Sequence, residues 1–132
     1  HIKSRKMSIN WKNELEEGLH YSKAAEGLKL NGKVDNETLY HIICLSVEKF
    51  LASLAGMVNY IPIHSGLTFV ARELGKKMDF PEKYLNEVRF LNGFMTYCSL
   101  DFEKPKVISE VDISRMLGFM VDLKNFTESR AI

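Results

Sequence analysis

The sequence predicts an all-α fold, an antiparallel up-and-down bundle of four long helices plus one short helix. Three observations lead there. Apolar side chains return every three or four residues through most of the chain, the spacing of one helix face. Asn, Asp, Ser, Gly and Pro interrupt that rhythm where helices start and stop. No stretch alternates apolar and polar residues long enough for a strand: Val34 stands alone, and Tyr60-Ile61-Pro62-Ile63 is short and holds a proline.

The first helix carries Trp11, Leu15, Leu19, Ala25 and Leu28 on its apolar stripe and closes at Asn31-Gly32, where glycine adopts the left-handed conformation of a C-terminal cap. Asp35 or Asn36 then offers a side-chain acceptor to the free amides of a second helix that runs to about Val58. From Phe50 to Val58 this helix is apolar or small on every side, so it is either central or part of an interface. Its small residues Ala52, Ser53, Ala55 and Gly56 would let another backbone come close.

After a break around Pro62, His64 or Ser65 caps a short third helix with Leu67, Val70, Ala71 and Leu74 inward, closed by Gly75, Lys76 and Lys77. Phe80-Pro81 starts the fourth, whose inner stripe is Tyr84, Leu85, Val88, Leu91, Met95 and Cys98. Ser109 and Asp112 have the spacing of a capping box at the head of the last helix. Its core face is Ile113, Met116, Leu117, Met120, Leu123 and Phe126, and Met116 to Val121 forms a second all-apolar patch.

With 132 residues and 15.2 kDa the chain makes one domain, residues 9–132, behind a lead-in, residues 1–8, that reads as flexible or as an added remnant. Its 45% apolar and 27% charged residues are globular composition. The 18 basic and 17 acidic side chains leave a net charge of +1, which gives no overall field for gripping a polyanion, though a local patch could still do so. Cys44 and Cys98 lie far apart without a CxxC, so neither a disulfide framework nor a zinc module is expected, and a reducing cytoplasm fits best. The longest uncharged stretch, Phe50 to Ala71, is interrupted by Asn59, Pro62, His64, Ser65 and Gly66, which argues against a membrane span.

Chemistry-bearing patterns are sparse. Glu17-x-x-His20 has the spacing of a ferritin-like di-metal ligand pair, but the second helix offers only Glu37 and His41, and Glu48-Lys49 reads as an exposed pair. No metal and no cofactor is expected. The two thiols read as small core residues, and Gly32-Lys33 and Gly75-Lys76 lack the glycine spacing and the Ser or Thr of a phosphate-binding loop. His64, at a helix start, together with Arg72, Arg89 and Lys104, forms the candidate ligand-binding set. Phe50, Leu54, Met57 and Phe119, drawn from the two all-apolar segments, form the candidate dimer interface.

The order "ETLYHIICLSVEKFLASLAGMVNY", "HSGLTFVARELGKK", "YLNEVRFLNGFMTYCSLDFEKP" and a final apolar helix resembles the HEPN family of helical nucleotide-binding domains. The likeness rests on Glu48-Lys49-Phe50-Leu51-Ala52 in the second helix and on His64, Leu67 and Leu74 around the third. It implies a homodimer that binds nucleotide, RNA or a nucleotidyltransferase-type partner, in a toxin-antitoxin-like setting. Many HEPN proteins are metal-independent ribonucleases that use an Arg shortly followed by a His. Here no histidine follows Arg72, Arg89, Arg115 or Arg130, and the turn Ser99 to Pro105 keeps a proline without an arginine. The resemblance therefore implies a non-catalytic accessory module. The alternatives are a diverged ribonuclease using His64, Arg72 and Arg89, and a purely structural dimerisation module.

Overall fold

The computed structural model describes residues 10–61, 66–95 and 107–131, and all of its regular structure is helical. The helices are α1 (Trp11–Asn31), α2 (Asn36–Met57), α3 (Leu67–Lys77), α4 (Glu82–Gly93) and α5 (Glu110–Arg130). Three are 21 or 22 residues long, whereas α3 has 11 and α4 has 12. The sequence pattern carries α4 on through Met95 and Cys98, but the helix stops at Asn92-Gly93, two weak helix formers, and Met95 is exposed. Cys98 lies outside the described residues.

Several predicted ends hold. Gly32 closes α1 at φ 72° with its N–H on the Leu28 carbonyl, while the start, for which no cap was read from the sequence, is capped by Asn10 accepting from the Asn13 amide. Asp35 accepts from the Thr38 amide at 2.8 Å to start α2. At α5 the box is complete: Ser109 Oγ accepts the Asp112 amide at 3.1 Å and Asp112 Oδ2 accepts the Ser109 amide at 3.0 Å. The start of α3 differs. Gly66 stands at its N-cap without a side-chain hydrogen bond, and Gly75, expected to close it, lies inside the helix with Met78 as the cap.

Helix α2 is the centre of the molecule, packed by α1, α3 and α5. Its contact with α1 is antiparallel: Ser53 Oγ donates to the Trp11 carbonyl at 2.8 Å, and Ser46 Oγ donates to the Gly18 carbonyl at 2.9 Å. Later α1 positions thus meet earlier α2 positions. Close approach is made possible on the α1 side by Gly18, Ser22 and Ala25, all buried and spaced along one stripe. The ring of Phe50 fills the place where Gly18 has no side chain, since a Cβ there would stand 2.7 Å from Cδ1 and Cε1. Lys49, read from sequence as part of an exposed pair, is half-buried and bridges Glu17 at 2.8 Å and Glu14 at 3.3 Å. Helix α5 pairs antiparallel with α4, as the Arg115–Glu87 ion pair and the Phe126–Phe80 ring contact require.

The large side chains of the two all-apolar segments are mostly covered within one chain. Phe50 and Leu54 are 0% exposed and Phe119 4%, so side chains assigned to a dimer interface are spent on the chain's own core. Each such burial stabilises by roughly 1.5–3 kcal/mol, which a second copy cannot supply again. That assignment is corrected for these three residues; Met57 alone keeps partial exposure. By length and composition α2 would pass for a membrane helix, but more than half of its most apolar window is buried inside the bundle.

The α1–α2 seam gives two opposite expectations. Ser22 Oγ is buried without a partner, because the Gly18 carbonyl one turn back already accepts Ser46. Ser22→Ala therefore raises stability by about 1 kcal/mol, whereas Gly18→Ala lowers it by about 1–3 kcal/mol despite its better helix propensity. Urea denaturation of both variants checks the signs.

Candidate functional site

Among the described residues, α4 and α5 border an open groove of about 300 Å³. It is lined by Lys83, Tyr84 and Glu87 from α4 and by Arg115, Gly118, Phe119 and Asp122 from α5. Helical spacing explains the set. Positions 83 and 87 are one turn apart on α4, and 115, 118 and 122 succeed each other on one stripe of α5. Each stripe borders the core-facing one that holds Val88 and Leu91, or Met116 and Met120.

Aromatic packing forms the base of the groove. Tyr84 meets Phe119 with ring centroids 5.6 Å apart and stands edge-on to Phe80 and Phe126. Burial, and then the charge of Asp122, hold the Tyr84 phenol above its usual range, so it is a neutral hydroxyl at physiological pH. Its Oη reaches the Asp122 carbonyl at 3.5 Å, the long limit of a hydrogen bond.

Charge along the rim is unequal in its commitments. Arg115 donates from Nε and Nη2 to the two carboxylate oxygens of Glu87, both at 2.9 Å, and its guanidinium lies 3.8 Å from the Phe90 ring centroid. The hydrogen bond to Glu87 raises its pKa further, so it is a fixed cation whose remaining N–H groups are still available. Lys83 has no carboxylate partner among the described residues and lies 5.8 Å from the Tyr84 ring centroid. Two cations and two carboxylates balance, which suits a small ligand better than a long polyanion.

Two of the four residues expected to bind a ligand, Arg72 and Arg89, are among those described, and neither lines this groove. Arg72 is exposed on α3, and Arg89 is exposed on α4 and donates to Asn86 Oδ1 at 3.3 Å. His64 and Lys104 lie outside the described residues. The described histidines, His20 and His41, are exposed on α1 and α2 and are not in the groove either. Among the described residues no group of three or more His, Cys, Asp or Glu comes together to hold a metal. Glu17 of the di-metal spacing is instead held below the usual carboxylate range by its hydrogen bond from Lys49.

Sequence reasoning passed over the groove because Lys83 and Glu87 look like a solvated mixed-charge face, and Gly118 sits inside an apolar run. The usable signal was the stripe Arg115, Gly118, Asp122 beside the core stripe of α5. Comparison with family models, curated proteins and solved structures gives no match for this chain.

Cys44 is a free, buried thiol whose pKa burial pushes up to about 11. The folded chain therefore holds this proton more tightly than the unfolded one, so the stabilisation is complete below the ordinary thiol range near 9 and is lost as pH climbs through about 11. In a Cys98→Ser background, Cys44 of the native protein should react with a disulfide reagent at pH 8 on the order of a hundredfold more slowly than in urea.

Proposed function

We propose that this protein is a non-catalytic, HEPN-like helical module that binds a mononucleotide in the groove between α4 and α5. The observation that carries the reading is the meeting, in one concavity, of the half-buried Tyr84 ring seated on Phe119 with a carboxylate-held Arg115 and with Lys83, which has no carboxylate partner among the described residues. The half-buried Tyr84 ring takes a base by stacking, Lys83 takes phosphate as a point charge, and the remaining N–H groups of Arg115 donate to phosphate or sugar oxygen. With no histidine among the lining residues, the groove binds without a general base poised near neutral pH.

The resemblance to HEPN domains supports the same class of ligand, and the two antiparallel pairs, α1 with α2 and α4 with α5, support a HEPN-like arrangement. In this reading the chain is a cytosolic accessory subunit to a nucleotidyltransferase-type protein. The case for self-association is narrower, since Phe50, Leu54 and Phe119 are buried within the single chain and Met57, Val58, Leu117 and Val121 are left partly exposed.

Titration calorimetry with GTP, ATP and a short single-stranded RNA tests the proposal. The expected result is saturable mononucleotide binding that falls at least tenfold in Lys83→Glu, a surface change that leaves the melting curve in place. Absence of mononucleotide binding, or binding indifferent to Lys83→Glu, overturns it.

A further inference from the structure

Resting on the groove reading above, we infer that Phe90 is a positioning residue for nucleotide binding: it stands outside the groove and holds the Arg115 guanidinium in one orientation, with its uncommitted N–H groups toward the ligand. A surface arginine is ordinarily a poor fixed donor, because ordering its long side chain costs rotamer entropy at each binding event. Arg115 is about half exposed, yet two contacts already restrain it.

The two contacts restrain different motions. Glu87 takes one edge of the guanidinium, accepting from Nε and Nη2 at 2.9 Å each. Phe90 takes one face, with Cζ 3.8 Å from the ring centroid. That separation is van der Waals contact, and turning the guanidinium edge-on would drive a nitrogen into the ring, so the two planes lie near parallel. With an edge and a face both fixed, the direction of Nη1 is set before any ligand arrives.

Phe90 is itself held. Its ring stands edge-on to Phe94 with centroids 5.3 Å apart, and Phe94 meets Tyr40 at 5.9 Å. Tyr40, 2% exposed on α2, donates its hydroxyl to the Leu91 carbonyl at 2.7 Å. This succession of contacts runs from the central helix out to Arg115, and of its side chains only Arg115 lines the groove. Without the Phe90 ring, Glu87 still grips one edge, but the guanidinium can swing about it, and the ligand has to order what the protein had ordered in advance.

The test separates positioning from packing. Full-length Phe90→Leu, Phe90→Tyr and Lys83→Glu chains are melted and titrated with GTP and ATP beside the wild type. Exchange of the Arg115 Nε–H with water is followed by NMR, the resonance being assigned by its loss in Arg115→Lys. Phe90→Leu should weaken nucleotide binding about three- to fivefold and speed that exchange, while Phe90→Tyr, which keeps the ring, holds both at wild-type values. A ring that serves packing alone would lower the Tm of Phe90→Leu and leave affinity and exchange in place. Wild-type affinity in Phe90→Leu overturns the inference, and if Lys83→Glu still weakens binding in the same titration, the groove reading survives without it. If Phe90→Leu does not fold, the wild type decides: an Arg115 Nε–H that exchanges like that of a free guanidinium overturns the inference. If the wild type binds neither nucleotide, both readings fall together.

Discussion

The burial of α2 governs the rest of this structure. A helix with Phe50, Leu51, Leu54 and Ala55 buried beside Leu39, Ile43 and Val47 needs cover on most of its circumference, and α1, α3 and α5 supply it. Cover this complete depends on how near α1 can come. Gly18, Ser22 and Ala25 remove side-chain bulk from the seam, and the hydroxyls of Ser46 and Ser53 reach α1 carbonyls across it. The same approach leaves the Ser22 hydroxyl without a partner. Hydrogen bonding was sacrificed at one residue for packing along a whole helix.

The groove follows from that arrangement. Helix α5 gives Ile113, Met116, Met120 and Leu123 to the core, and its flank faces α4, where Phe80, Tyr84, Phe119 and Phe126 make an aromatic layer. Polar side chains at the edge of that layer have nowhere to go but the rim. Arg115 is immobilised there by Glu87 and Phe90, while Lys83 is held only loosely over Tyr84. A carboxylate-held cation and a second cation with a ring contact thus stand beside an aromatic base, the arrangement on which the proposed binding rests.

Much of the fold was legible before any coordinates. Period and caps gave α1, α2 and α5 almost to the residue, because Gly32, Asp35 and the Ser109–Asp112 pair act locally. The length of α4 was not legible, since apolar spacing continues past Gly93 while the helix does not. Whether an all-apolar segment faces a core or a twin was also hidden, because composition cannot say which neighbour arrives. Of the small α2 residues credited with close approach, Ser53 reaches the Trp11 carbonyl across the seam, while the part that Gly18 and Ser22 of α1 play was not read. The groove was the least visible feature: its residues come from two helices, and only their pairing reveals that Arg115 and Glu87 share one rim.

Native-state hydrogen exchange, recorded at low and high protein concentration, tests most directly whether one chain suffices to bury α2. The amides from Leu39 to Ala55 should be among the slowest in the molecule, exchanging only with global unfolding and at the same rate in both samples. Protection of α2 that grows with concentration, or that falls below the protection of α3, would contradict the self-contained core on which the groove depends.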